Sequence, residues 1–94
     1  MIIWLQNWFL QHCDGAWEHE HQIQIMTTDN PGWSVIIDIT DTEAEGTTVP
    51  YTLIENEEED WIGFLFDGIQ FRGGCSVLNL EKLIEKFKER IVSL

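Results

Sequence analysis

The residues that could carry chemistry gather early in the chain: His12, Cys13, His19 and His21, with Asp14, Glu18 and Glu20 among them. Imidazole and thiolate are the ligands that zinc takes most readily. His19 and His21 stand two apart, so on a strand they share a face and could meet His12 or Cys13 around one ion. The pattern lacks a CxxC pair and a second cluster to complete it. Hydrogen-bonded histidines at the start of a hairpin are the simpler reading; a small metal-binding module or metal-dependent enzyme is the alternative. Asp14 and Glu18 have the chemistry of an acid–base pair, but two acids among seventeen single out nothing. Arg72-Gly73-Gly74-Cys75-Ser76 sets a thiol near an arginine and ahead of a helix, where a thiolate is stabilised. No obvious base stands by it, and the stretch reads as a Gly-rich connection from strand to helix. Phosphate loops, nucleophile elbows and dinucleotide fingerprints are absent. No catalytic residue, cofactor or metal ligand is assigned, and the chain is expected not to be an enzyme.

The elements that must position these residues follow from periodicity. Trp4, Leu5, Trp8, Phe9 and His12 recur at helical spacing, opposite Gln6, Asn7 and Gln11, which predicts a helix over 2–12. Gly15 is suited to a left-handed cap at its end. His21, Ile23, Ile25 and Thr27 then alternate with Gln22, Gln24, Met26 and Thr28, and Trp33, Val35, Ile37 and Ile39 alternate with polar neighbours. Asp29-Asn30-Pro31-Gly32 joins these runs into a hairpin, with Pro31 presetting φ and Gly32 expected at positive φ. Residues 41–48 are polar and read as a loop. Val49, Tyr51 and Leu53 make a third strand, placed at an edge by Pro50. After the acidic turn 57–60, Trp61 to Phe66 is apolar on both faces, as a central, doubly covered strand would be. A short strand at 69–72 should break at Gly73-Gly74. Asn79 is a good N-cap for a last helix in which Leu80, Leu83, Ile84, Phe87, Ile91 and Leu94 form one stripe.

The expected architecture is α+β: a four- to five-stranded antiparallel meander with both terminal helices on one face, forming a single domain over 1–94. Five Trp and five Phe supply its core. Each buried aromatic removes about 150–250 Å² from water, so a chain this short closes without metal or disulfide. Trp4, Trp8, Trp17, Trp33 and Trp61, with Glu18, Pro31 and Gly32, are read as structural. The first residues hold no basic leader and no uninterrupted apolar span, and the two cysteines read as reduced and buried; the chain is expected to be cytoplasmic.

Charge is the strongest compositional signal. The net charge is −12, and residues 1–71 contain fourteen acids with no Lys or Arg at all. Such a surface repels nucleic acid and anionic membrane and attracts basic proteins at an enhanced rate. A small-molecule ligand has no evident place.

Certain motifs occur together and in order: Trp4-Leu5-Gln6-Asn7-Trp8, Cys13-Asp14-Gly15-Ala16-Trp17-Glu18-His19, Asp29-Asn30-Pro31-Gly32-Trp33, Asp60-Trp61, and Gly73-Gly74 followed by Asn79-Leu80. In these the sequence resembles the immunity protein 53 family of bacterial polymorphic toxin systems, from Trp4 to the last helix. Ala16 stands where members often carry an acid, and Cys75 falls in a connection usually rich in Gly and Pro. The resemblance implies a small cytoplasmic α+β protein, made beside a toxin gene, that binds and neutralises that toxin. A toxin that attacks nucleic acid needs a basic surface, which an acidic protein can occlude. The candidate partner-binding residues are Glu43, Glu45, Glu55, Glu57, Glu58, Glu59 and Asp60. A protein-binding adaptor outside toxin immunity is a further alternative.

Overall fold

The apolar stripe of residues 2–12 winds into helix α1 (Ile2–His12), which buries Leu5 and Trp8. A computed structural model describes residues 1–94 of the chain. The hairpin strands are β1 (Ile23–Thr28) and β2 (Gly32–Asp38), paired antiparallel from Ile23–Ile37 to Thr28–Gly32. Three further strands follow, β3 (Thr48–Glu57), β4 (Asp60–Asp67) and β5 (Gln70–Cys75), then a 3₁₀ turn at Val77–Asn79 and helix α3 (Leu80–Val92). Between α1 and β1, Trp17–Glu20 forms a one-turn helix, α2, in a stretch where the periodicity gave only the approach to a strand.

All five strands are antiparallel, in the order β1-β2-β5-β4-β3. The expected meander holds only for the last three. Strand β5 lies at the centre, paired with β2 on one side and β4 on the other. The chain must therefore cross from β2 to the far edge, and residues 39–47 do this as an ordered connection. Ala44 is buried within it, Thr42 Oγ1 donates to Ile39 O at 2.7 Å, and Gly46 N donates to Gly68 O at 2.8 Å. Alternation tells which face a residue takes but not which strand lies next to it.

Both long helices serve one face of the sheet. Phe87 of α3 is fully buried, 5.0 Å from the Trp8 ring, 6.0 Å from Trp4, 5.3 Å from Phe71 and 6.0 Å from Phe66. Ile84 is buried beside it, completing the expected Trp4–Trp8–Phe87–Ile84 core. On this face the sheet contributes Val35, Ile37, Ile62, Phe66 and Phe71. Nothing lies over the other face. Strand β4 is therefore covered on one side only: Ile62 and Phe66 are buried, while Trp61 and Leu65 stand half-exposed on the open side.

Three local expectations are corrected by packing. Gly73-Gly74 does not break the strand but continues it to Cys75. A Cβ on Gly73 would lie 2.7 Å from Leu83 Cδ1, so the missing side chain is what lets α3 settle on the central strand. Asn79 precedes α3 without capping it; its side-chain amide donates instead to Asp60 Oδ1 at 2.8 Å and Ser76 Oγ at 3.0 Å. Gly32 is not at positive φ; the positive-φ glycines are Gly15, Gly46 and Gly68. It sits at the start of β2, where a Cβ would meet Cys75 O at 2.5 Å.

Glycine at 32 is thus required for close approach of two backbones. Gly32→Ala is expected to destabilise the fold by about 1–3 kcal/mol through overpacking against a carbonyl that cannot rotate away. Urea melts check this; a stabilised variant would show that the two strands have room to part.

Candidate functional site

The early cluster is built for structure. Asp14 Oδ1 accepts the backbone N–H groups of Ala16 and Trp17, both at 2.9 Å, and starts α2. Glu18 reaches back to the N–H groups of Asp14 and Gly15 at 3.0 and 2.9 Å. This reciprocal bonding is the logic of a capping box. Backbone donors from Trp17 and then Ala16 hold the Asp14 carboxyl below its ordinary range. Its own backbone N–H, with those of Asp14 and Gly15, does the same for Glu18 against some desolvation. The turn delivers Trp17 into the core, where its indole N–H donates to Thr40 O at 2.8 Å.

His12, Cys13, His19 and His21 go separate ways. His12 Nδ1 lies 2.8 Å from Trp8 O and Nε2 2.7 Å from Glu43 Oε2. Cys13 Sγ donates to Phe9 O at 3.3 Å, and His19 is exposed. His21 stacks at 5.4 Å on Trp17 and faces Asp38 at 3.6 Å. No group of three or more His, Cys, Asp or Glu side chains is arranged to hold a metal ion. Both thiols are free. Burial pushes the Cys75 thiol up to about 11, far from the thiolate a reactive cysteine needs.

The seven candidate carboxylates divide into two sets. Glu43 is exposed but bonded to α1: Trp8 Nε1 donates to its Oε1 at 2.9 Å while Oε2 meets His12, so the 39–47 connection is tied to that helix. Desolvation works to raise the Glu43 carboxyl, but the bonds from Trp8, its own backbone and His12 prevail and hold it below its ordinary range. Glu45 accepts the Asp41 N–H at 2.7 Å, supporting Asp41 at φ 60°. Asp60 is held by Asn79 and Asn56, whose side-chain amides lower its carboxyl in that order. Glu55, Glu57, Glu58 and Glu59 are exposed and make no bond or ion pair within the chain. They lie at the β3–β4 hairpin and form the free acidic edge of the molecule.

That edge adjoins a surface not singled out in the sequence. Glu58 and Glu59 line a groove of about 350 Å³ with Asn30, Pro31, Trp61, Val77 and Leu78. The three loops at this end of the sheet converge there, and Leu78 is 91% exposed. Trp61 also lines a depression of about 340 Å³ on the open sheet face, beside Ile36, Tyr51, Leu65 and Arg72. The signal in the sequence was the two-sided apolar character of Trp61 to Phe66, which suggested a covered strand.

Fold and site together define a small α+β domain that carries unpaired carboxylates beside an uncovered sheet face. The chain belongs to the immunity protein 53 family, whose sequence model matches residues 2–92. Neither curated proteins nor solved structures give a significant match. No helix is long and apolar enough to cross a membrane.

The bonding of Glu43 to α1 has a pH signature. A carboxyl lowered by folding stabilises the native state above its unfolded value and loses that contribution as pH falls through the folded one. Glu43→Gln should therefore be less stable than the native protein at pH 7, with the difference closing as pH falls through and below the ordinary carboxylate range. Thermal melts from pH 7 to pH 3 test this; parallel profiles would place the carboxylate's effect elsewhere.

Proposed function

We propose that this protein is the cytoplasmic immunity partner of a toxin from a bacterial polymorphic toxin system, neutralising it by one-to-one binding without catalysis. Family membership supports the immunity role. The observation that carries the rest is the distribution of charge: fourteen acids and no Lys or Arg through residue 71, with Glu55, Glu57, Glu58 and Glu59 left free on one hairpin. The partner that fits is a basic protein domain, and basic domains are what act on nucleic acid. This chain would not itself bind nucleic acid or anionic lipid.

Exposed charges act mainly at encounter, over a range of about 8–10 Å at physiological salt. Cells producing the toxin encoded by the adjoining gene should survive only when this protein is co-produced, and the two should form an equimolar complex. Replacing Glu55, Glu57, Glu58 and Glu59 together by Gln should slow association and flatten its salt dependence, with dissociation little changed. The fold should be unaffected, because exposed and unpaired carboxylates contribute little to stability. Stopped-flow association at low and moderate salt checks this. Rates equal to the native protein at both would remove the hairpin from the encounter surface, and failure to protect would remove the function.

A further inference from the structure

The carboxylates of the hairpin explain approach, not residence, and the open sheet face is suited to the second task. We infer that this face, centred on Trp61, Tyr51 and Arg72, is the surface on which the toxin is held; the inference rests on the immunity reading.

Strand β4 is apolar on both sides although the molecule covers only one. On the open side Gly63 and Gly74 pair across β4 and β5 and leave a hollow in the sheet. The Tyr51 hydroxyl lies over Gly63, and the edge of the Trp61 ring lies 3.6 Å from where a Gly74 Cβ would stand. Tyr51 would have to move if Gly63 gained a methyl group, so that glycine is what lets the tyrosine lie flat against the sheet, while the Trp61 ring lies at contact distance over Gly74. Arg72 stands between Ile36 and Leu65 on the neighbouring strands, exposed and in no ion pair. It is the only base in the first 81 residues. An unpaired arginine between aliphatic neighbours, with a tyrosine and a tryptophan alongside, has the composition of an interface centre. Trp8, Trp17 and Trp33 each donate their indole N–H within the chain, whereas Trp61 does not. Its donor is available to a partner.

The size fits a protein and not a small molecule. Five strands about 4.8 Å apart and about six residues long make a face about 20 Å by 20–25 Å. That is about half or somewhat more of the about 800 Å² that one partner gives to a standard interface. Trp61 joins this face to the groove at Pro31, Leu78 and Glu58, which extends it to the acidic hairpin. The partner's chemistry follows from this layout. It presents an apolar contact carrying an oxygen acceptor for Arg72, beside basic residues that meet Glu55 to Glu59. A basic toxin domain matches; a second copy packed face to face through its own open sheet would meet the acidic hairpins with Arg72 alone, since Lys82, Lys86, Lys88 and Arg90 lie on α3 across the sheet.

Tyr51→Ala and Arg72→Ala test the inference, since both side chains are exposed and their loss leaves the core intact; urea melts confirm folding. With the catalytically inactivated toxin domain of the adjoining gene as probe, each should raise the dissociation rate about 30-fold or more, with association within about threefold of the native protein. Val92→Ala, an exposed position on α3, should change neither rate. Native dissociation rates in both variants would overturn the sheet face as the docking surface while leaving immunity intact. A native protein that neither binds nor protects would overturn the immunity reading itself. A self-associated native protein made monomeric by Tyr51→Ala would assign the face to a second copy and overturn the inference.

Discussion

Phe87 is the point at which the layers of this molecule meet. Its ring contacts Trp4 and Trp8 of α1, Phe66 of β4 and Phe71 of β5, at centroid distances of 5.0 to 6.0 Å. The edge-to-face contacts with Trp4, Trp8 and Phe71 are the orientation that aromatic quadrupoles favour. Through this ring the N-terminal helix is held by the C-terminal one, and both are held to β4 and β5. A chain of 94 residues has one core to spend on the two sides of a sheet. Gathering the aromatics on one side closes that core firmly and leaves the other side bare. The open face is a consequence of where the aromatic mass went.

The same economy decides the strand order. For β5 to lie beneath α3, its side chains toward the helix must be large at Phe71 and absent at Gly73. Once β5 is central, β2 and β4 flank it, and the β2–β3 connection has to travel round the end of the sheet. That connection is fixed from within by Ala44 and from outside by Glu43, whose carboxylate bridges to Trp8 and His12. The first helix and the crossover are thereby joined by one carboxylate at the margin of the core.

Much of this was legible in the sequence, and what was not shares a physical cause. The helical stripe of Leu80, Leu83, Ile84 and Phe87 and the alternation of Val35 and Ile37 are local patterns, so the elements and their buried faces followed from them. The common side of the two helices was legible too, from the aromatic stripe at Trp4 and Trp8. The position of β5 was hidden because Gly73-Gly74 has the local signature of a break, and only contact with Leu83 reverses its meaning. Gly32 and Asn79 were misread in the same way: turn and cap are their local roles, while Cys75 and Asp60 decide what they do. At the candidate site, composition singled out the carboxylates but could not separate Glu43, bonded to Trp8 and His12, from Glu57, free in solvent. Trp61 was read as structural because one strand's sequence cannot say how many of its faces are covered.

The acids of this chain form two populations, and the division bears on function. Asp14, Glu18, Glu43 and Asp60 all have lowered carboxyls, and the hydrogen bonds responsible come from backbone N–H groups, an indole, amides and an imidazole. No Lys or Arg hydrogen-bonds or pairs with any of the four. A protein that holds its structural carboxylates mainly through hydrogen bonds, with Lys82 acting on Asp60 only as a more distant charge, keeps its fold without committing its few Lys and Arg to direct pairs with these acids. Conventional ion pairing would stabilise such a small domain little more, because exposed pairs are worth about 0–1 kcal/mol. It would, however, weaken the field at Glu55, Glu57, Glu58 and Glu59. Holding structural acids by hydrogen bonds, and not by direct Lys or Arg pairs, therefore preserves the charge on the hairpin that a basic partner would meet first.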